Sequence, residues 1–148
     1  MSNLAVNKHV RSDYEFLEVF EGGLRLSGAE VKAAKKGNLN LKGSYISITK
    51  DELWIKNMHI GRYAPAGAQE SYDPTADRKL LVHKRELKRL IGKTREKGLT
   101  IVPIRVYTKG ALVKLEFALA RGIAKHEKRD KIKKRDIERE MRRQAKDL

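Results

Sequence analysis

In Val113-Lys114-Leu115-Glu116-Phe117-Ala118-Leu119 apolar residues occupy every second position. A period of two gives a strand one buried and one wet face, and the wet face here carries Lys114. From Ile101 to Tyr107 the apolar residues Val102, Ile104 and Val106 fall on one side, and Lys109-Gly110 turns the chain back, so the two stretches predict a hairpin. Pro103 has no N–H for a ladder, which predicts an edge strand or a bulge at that point. The runs Ser44 to Ile48 and Leu53 to Ile55, joined by Thr49-Lys50-Asp51-Glu52, and the β-branched and aromatic run Tyr14 to Phe20, bring the total to at least five strands.

Helical signals interrupt this pattern twice. Ser27-Gly28-Ala29-Glu30 matches a capping box, in which the Ser hydroxyl and the Glu carboxylate each take a free amide of the first turn, and Gly37 supplies a stop. The helix is expected from about Gly28 to Lys36. Leu87, Leu90 and Ile91 mark a second helix within the basic stretch Lys84 to Arg89, limited by Gly92 and Gly98. Between them Gly61 to Ala76, with Pro65, Gly67 and Pro74, reads as a surface loop. Five or six short strands are too few for a sandwich with a separate helical layer, and closing the sheet removes its edges. The expected fold is mainly β with flanking helices: an OB-like closed barrel over residues 13–121, an N-terminal extension over 1–12, and a basic C-terminal tail, disordered or helical, over 122–148.

Charge narrows the class of partner. The chain carries 34 Lys and Arg against 19 Asp and Glu, a formal +15. Residues 122–148 hold eleven Lys and Arg against six Asp and Glu, so the tail contributes +5 and the body the remaining +10. At helical spacing Lys128, Lys131, Arg135, Arg139, Arg142 and Lys146 form one stripe suited to a phosphate backbone. The competing reading is a solvated helix or disordered tail, with Glu138 paired to Arg142. An anionic membrane is the other polyanion, but a membrane binder wants a strong apolar face. Ile132, Ile137, Met141, Ala145 and Leu148 make a thin one. No stretch approaches the ~20 apolar residues of a membrane span, and Met1 to Val10 lacks the apolar block of a secretory signal, so a cytoplasmic protein is expected. With no cysteine and with His9, His59, His83 and His126 far apart, neither a metal nor another cofactor is expected.

Several residues invite a functional reading beside a structural one. Gly22-Gly23 after a strand is ordinarily a turn, while Glu21 is either a strand-end ion-pair partner or an acceptor for base amino groups. Glu30 has a sufficient task as a helix cap. Asp77-Arg78-Lys79-Leu80-Leu81-Val82-His83-Lys84-Arg85-Glu86 sets cations and an imidazole around an apolar step: either helix solubility with Leu80 and Leu81 in the core, or a patch where cations meet phosphates and an exposed leucine or His83 rests on a base. No phosphate-cradling Gly-rich loop is present. A ribonuclease assembled from His83, Lys84 and His126 is the weaker reading, since lone histidines in basic proteins mostly serve binding. The chain is therefore read as a non-enzymatic binder.

Asn7-Lys8, Asp13-Tyr14, Phe20-Glu21-Gly22-Gly23, Gly28-x-Glu30-Val31-Lys32, Ser44-Tyr45, Tyr72-Asp73-Pro74, Arg78-Lys79-Leu80-Leu81-x-His83-Lys84, Lys97-Gly98-x-Thr100-Ile101-Val102-Pro103 and Glu127-Lys128-Arg129 occur in that order. From Asn7 to the C-terminus the chain thus resembles the SmpB family, the SsrA-binding proteins of bacteria. The resemblance implies an OB-fold barrel that binds the tRNA-like domain of transfer-messenger RNA and delivers it to ribosomes stalled on truncated messages, so that the nascent peptide is tagged and the ribosome rescued. It implies RNA contacts near Asn7, Glu21, Leu81, His83 and Lys114, with Lys8, Arg78, Lys79 and Arg121 as accompanying cations. It assigns the tail, namely His126, Glu127, Lys128, Arg129, Lys131, Lys133, Lys134, Arg135, Arg139, Arg142 and Arg143, to ribosomal RNA in the message channel. Folding on binding suits a segment whose charge prevents collapse. Ester chemistry would belong to alanyl-tRNA synthetase, elongation factor Tu and the ribosome, and the protein would act as a monomer. The alternative is a ribosomal or tRNA-binding structural protein of the same charge and fold. Four positions depart from the family pattern. Ile123-Ala124 stand where it has two lysines, Glu127 stands for its Asp, and Ala76 for its Arg.

Overall fold

The computed structural model describes residues 2–66 and 71–123 and, further on, 137, 139, 141 and 142. Nine strands and three helices follow one another among the described residues: β1 (Asn3–Val6), α1 (Val10–Asp13), β2 (Tyr14–Leu24), α2 (Gly28–Lys35), β3 (Leu39–Asn40), β4 (Tyr45–Thr49), β5 (Glu52–Lys56), β6 (His59–Ile60), β7 (Arg78–Leu81), α3 (Lys84–Lys93), β8 (Leu99–Lys109) and β9 (Leu112–Gly122). The capping box forms as the residues dictate. The Glu30 amide donates to the Ser27 hydroxyl at 3.2 Å and the Ser27 amide to Glu30 Oε1 at 3.0 Å. Gly37, at φ +85°, ends the helix by returning its amide to the Ala34 carbonyl.

Seven strands make one antiparallel sheet in the order β1-β8-β9-β2-β7-β5-β4, with β3 and β6 paired separately. The hairpin β8–β9 and its neighbour β2 are eleven residues each and form the sheet's long centre. Both faces of this centre carry packed apolar residues. On one, Phe20 stacks on Phe117 with ring centroids 5.5 Å apart, inside a core with Leu53, Ile55, Leu80 and Leu90. On the other, Val10 of α1 packs with Val102, Ile104, Ala118 and Ala120.

The structure departs from the expectation, or narrows it, at five points. β1 and β4 are the ends of the hydrogen-bonded sheet, and β4 lies beside β8 with no ladder between them among the described residues, so the sheet curls without closing. Residues 3–6, expected in an extension, pair with β8. Arg78–Leu81, read as a lead-in to the helix, is the strand that bridges β2 and β5; its two cations hid an inward-facing Leu80. Pro103 sits in a strand flanked on both sides, so the edge reading fails and the bulge reading holds: the register slips between Pro103 and Arg105. The slip sends Val106 to the main core with Ile101, while Val102 and Ile104 stay with α1. The segment expected as a loop also includes a short 3-10 turn at Ala64–Ala66.

Candidate nucleic-acid interface

Leu81 of β7 lies opposite Gly23 of β2, Gly23 opposite Lys114 of β9, and Lys114 opposite Tyr107 of β8, so one row crosses four strands. Gly23 sets the floor of this row. A Cβ there would lie 3.8 Å from Lys114 Nζ and 3.9 Å from Leu81 Cβ, so its absence leaves a shallow gap between a cation and a leucine that is 48% exposed. Gly22 has a different cause. A Cβ there would fall 2.7 Å from Leu80 Cδ1, so the close approach of β2 to β7 requires glycine.

Glu21 shares this face two residues before Gly23. The Tyr107 hydroxyl donates to its Oε2, and Lys109 Nζ lies 3.2 Å from its Oε1. The bond from Tyr107 holds the Glu21 carboxyl below its usual range, with help from Lys109 and Lys114 against a smaller opposing effect of burial. Burial, and then the same bond, push the Tyr107 hydroxyl up. At neutral pH the pair is therefore an ionised acceptor and a fixed donor. Arg105 lies over the Tyr107 ring at 4.1 Å from its centroid, 3.3 Å from Glu116 Oε2 and 2.7 Å from Asn3 Oδ1. His83, two residues beyond Leu81, is exposed and caps α3, where its amide donates to Glu86 Oε1 at 3.2 Å. Arg89 Nε, 2.6 Å from Glu18 Oε2, ties that helix to β2. An anionic acceptor, two lysines and an exposed leucine suit a ligand that presents amino or hydroxyl donors, phosphates and flat apolar rings together. Among the described residues no group of three His, Cys, Asp or Glu converges as a metal would need.

The family model described as "SmpB protein" matches residues 4–147. The chain belongs to the SmpB family. An SsrA-binding protein from Sulfurihydrogenibium sp. is 49% identical, covering 93% of this chain and 90% of its own length. One from Oleidesulfovibrio alaskensis is 48% identical over 95% and 90%. A solved chain described as "tmRNA-SmpB: a journey to the center of the bacterial ribosome" is similar with a TM-score of 0.65 and 38% identity, covering 86% of this chain and 92% of that one.

Of the contacts that SmpB resemblance implied, the structure brings Glu21, Leu81 and Lys114 onto one face, with His83 just beyond. The others lie elsewhere. Arg121 is seven residues along β9 from Lys114, about 23 Å at 3.3 Å per residue. The Asn7 side chain donates to the Pro103 carbonyl at 2.9 Å, and its amide to the Ile104 carbonyl, carrying on the contact where the β1 ladder stops. Lys8 is exposed beside Asn7, His9, Asn40 and Lys42 around a cleft of about 320 Å³. Lys79 is the exception: two residues before Leu81, it shares the outward side of β7, where it lies 3.5 Å from Glu52.

Arg78 is a correction. It is 4% exposed, and its guanidinium reaches Glu30 Oε2 at 2.6 Å, the Met58 carbonyl, the Pro74 carbonyl at 3.0 Å and the Tyr72 hydroxyl at 3.4 Å. With its donors so occupied and no surface to present, it holds α2, Met58 just ahead of β6 and the 71–74 segment together. Of the tail residues, Arg139 and Arg142 are helical and exposed. His126, Glu127, Lys128, Arg129, Lys131, Lys133, Lys134, Arg135 and Arg143 lie outside the described residues. Sequence reasoning missed Tyr107, Lys109 and Arg105, which read only as the end of a strand. The one signal was an aromatic residue among cations just before the Gly110 turn.

Proposed function

We propose that this chain is an RNA-binding adaptor that binds the tRNA-like domain of transfer-messenger RNA and delivers it to stalled ribosomes in trans-translation. The observation that carries the reading is the coincidence of a family match over nearly the whole chain with exposed Glu21 and Leu81 and half-buried Lys114 on one sheet face. On that face Glu21 accepts from base or ribose donors, Lys114 and Lys109 meet phosphates, and Leu81 and His83 rest against unstacked bases. The approach of β4 to β8 supports an OB-like barrel that presents this face as a rigid surface. Binding, with no covalent chemistry of its own, is the protein's contribution, and its setting is the cytoplasm.

The tail is proposed to read the empty message channel of the ribosome. Just beyond β9, the Ile123 amide donates to the Asp13 carbonyl at the end of α1 at 3.0 Å. A truncation after Ile123 therefore spares β9 and separates the two roles. The shortened protein is expected to bind transfer-messenger RNA within about twofold of the parent, a difference of ~0.4 kcal/mol, and to lose peptide tagging on stalled ribosomes in a reconstituted translation system. Tagging at the parental level would refute the tail assignment, and loss of RNA binding would move the RNA site away from the sheet face.

A further inference from the structure

Glu21 is 39% exposed, yet its carboxylate is not free to swing. An exposed glutamate ordinarily samples many rotamers, and a ligand that binds one of them must overcome that freedom. Here the Tyr107 hydroxyl takes Oε2 from the neighbouring part of the sheet, two strands away, and Lys109 lies beside Oε1. Tyr107 cannot itself adjust. It is 1% exposed, with Arg105 across its ring and Arg105 in turn bonded to Asn3 of β1 and Glu116 of β9. The chain Asn3–Arg105–Tyr107–Glu21 thus fixes the direction in which the carboxylate's remaining lone pairs point, on the same face as Gly23, Leu81 and Lys114.

We infer that Tyr107 is a positioning residue for RNA recognition: its buried hydroxyl preorganises the Glu21 carboxylate for donors on the RNA while remaining out of contact with the RNA itself. The inference rests on the reading of Glu21 as an RNA contact. Two features of the geometry support it over a purely structural role. The ring's packing under Arg105 does not need the hydroxyl, so the hydroxyl's partner is the exposed acid alone. Burial also leaves the hydroxyl reluctant to ionise, which keeps it a donor across the working pH range.

The test is a mutant cycle read in binding to a tRNA-like transfer-messenger RNA fragment near physiological salt, using the full chain. Tyr107→Phe keeps the ring and removes one oxygen. It should weaken binding about tenfold, in the range expected for losing a hydrogen bond to a charged group. Glu21→Gln should weaken binding at least as much, and adding Tyr107→Phe to it should cost nothing further. In the free proteins, the Glu21 carboxyl followed by carbon NMR should titrate at a higher pH in Tyr107→Phe than in the parent. This second readout stands even if the variant binds RNA poorly for other reasons.

The outcomes separate. If Glu21→Gln is weakened and Tyr107→Phe binds like the parent, the positioning role falls and the Glu21 contact survives. If Glu21→Gln binds like the parent, the contact falls, and the positioning role with it. Equal losses from Tyr107→Phe in both backgrounds, or an unmoved Glu21 titration, would show a structural tyrosine only.

Discussion

Two acids of this protein, Glu30 and Glu21, are each held by partners from distant parts of the chain, and they end in opposite roles. Glu30 lies inside. One oxygen closes the α2 cap, the other meets Arg78 at 2.6 Å, and Arg78 is saturated by carbonyls and a tyrosine hydroxyl. Nothing of that network faces a ligand. Glu21 lies at the rim, where Tyr107 and Lys109 direct the carboxylate without enclosing it, and Gly23 keeps the surface beside it open. Residue type does not distinguish these networks, for both join an acid, a cation and a tyrosine. Burial and unfilled hydrogen-bonding capacity do.

The largest effect expected from breaking this contrast is at Arg78. Arg78→Ala leaves Glu30 partly buried without its cation and should cost about 3 to 5 kcal/mol in denaturant unfolding, as breaking one side of a buried pair does. Whatever fraction remains folded should bind RNA like the parent. A strong loss of affinity in folded Arg78→Ala would return this arginine to the interface.

Glu21→Gln should do the reverse, with stability changed by less than about 1 kcal/mol and RNA affinity reduced. The adjacent glycines sharpen the comparison within two residues. Gly22→Ala should destabilise by about 1 to 2 kcal/mol through its clash with Leu80, whose buried position leaves little room to move. Gly23→Ala meets only ordinary contacts, so its unfolding midpoint should barely move, while the methyl fills the gap between Leu81 and Lys114 and weakens RNA binding by roughly threefold, about 0.6 kcal/mol.

The smallest effect is in pH. The Glu21 carboxyl is depressed below its ordinary 4.5. Its contribution to stability is therefore fully present above that value and is lost as the pH falls through the lower folded value. The stability difference between parent and Glu21→Gln should close over that acidic window and stay constant from pH 5 upward. A difference that instead grew toward acid would reverse the assigned sign.

Local patterns were legible in the residues. The capping box placed α2 within one residue of its observed end, and strict alternation found β9. What escaped was long-range. β7 carries Arg78 and Lys79 and reads as a polar lead-in until β2 and β5 flank it and show that Arg78 and Leu80 point inward. β1 has only four residues, and its pairing is with β8, about a hundred positions away. The bulge after Pro103 exchanged the faces of β8, which alternation alone could not foresee. At the site, Glu21, Leu81 and Lys114 could be named one at a time, but Tyr107 could not, because its partner lies 86 residues away in sequence. Arg78 misled for the same reason: a cation in a basic run looks like a phosphate contact until burial is known.

On this reading the sheet face recognises the shape of one RNA rather than negative charge in general. Its most direct test is a titration of the full chain against a tRNA-like transfer-messenger RNA fragment, bulk tRNA and an unstructured RNA of equal length, at low and near-physiological salt. Selective binding to the tRNA-like fragment is expected to persist as salt rises. If all three RNAs bind alike and dissociate together, the +15 charge acts alone and the face has no shape specificity.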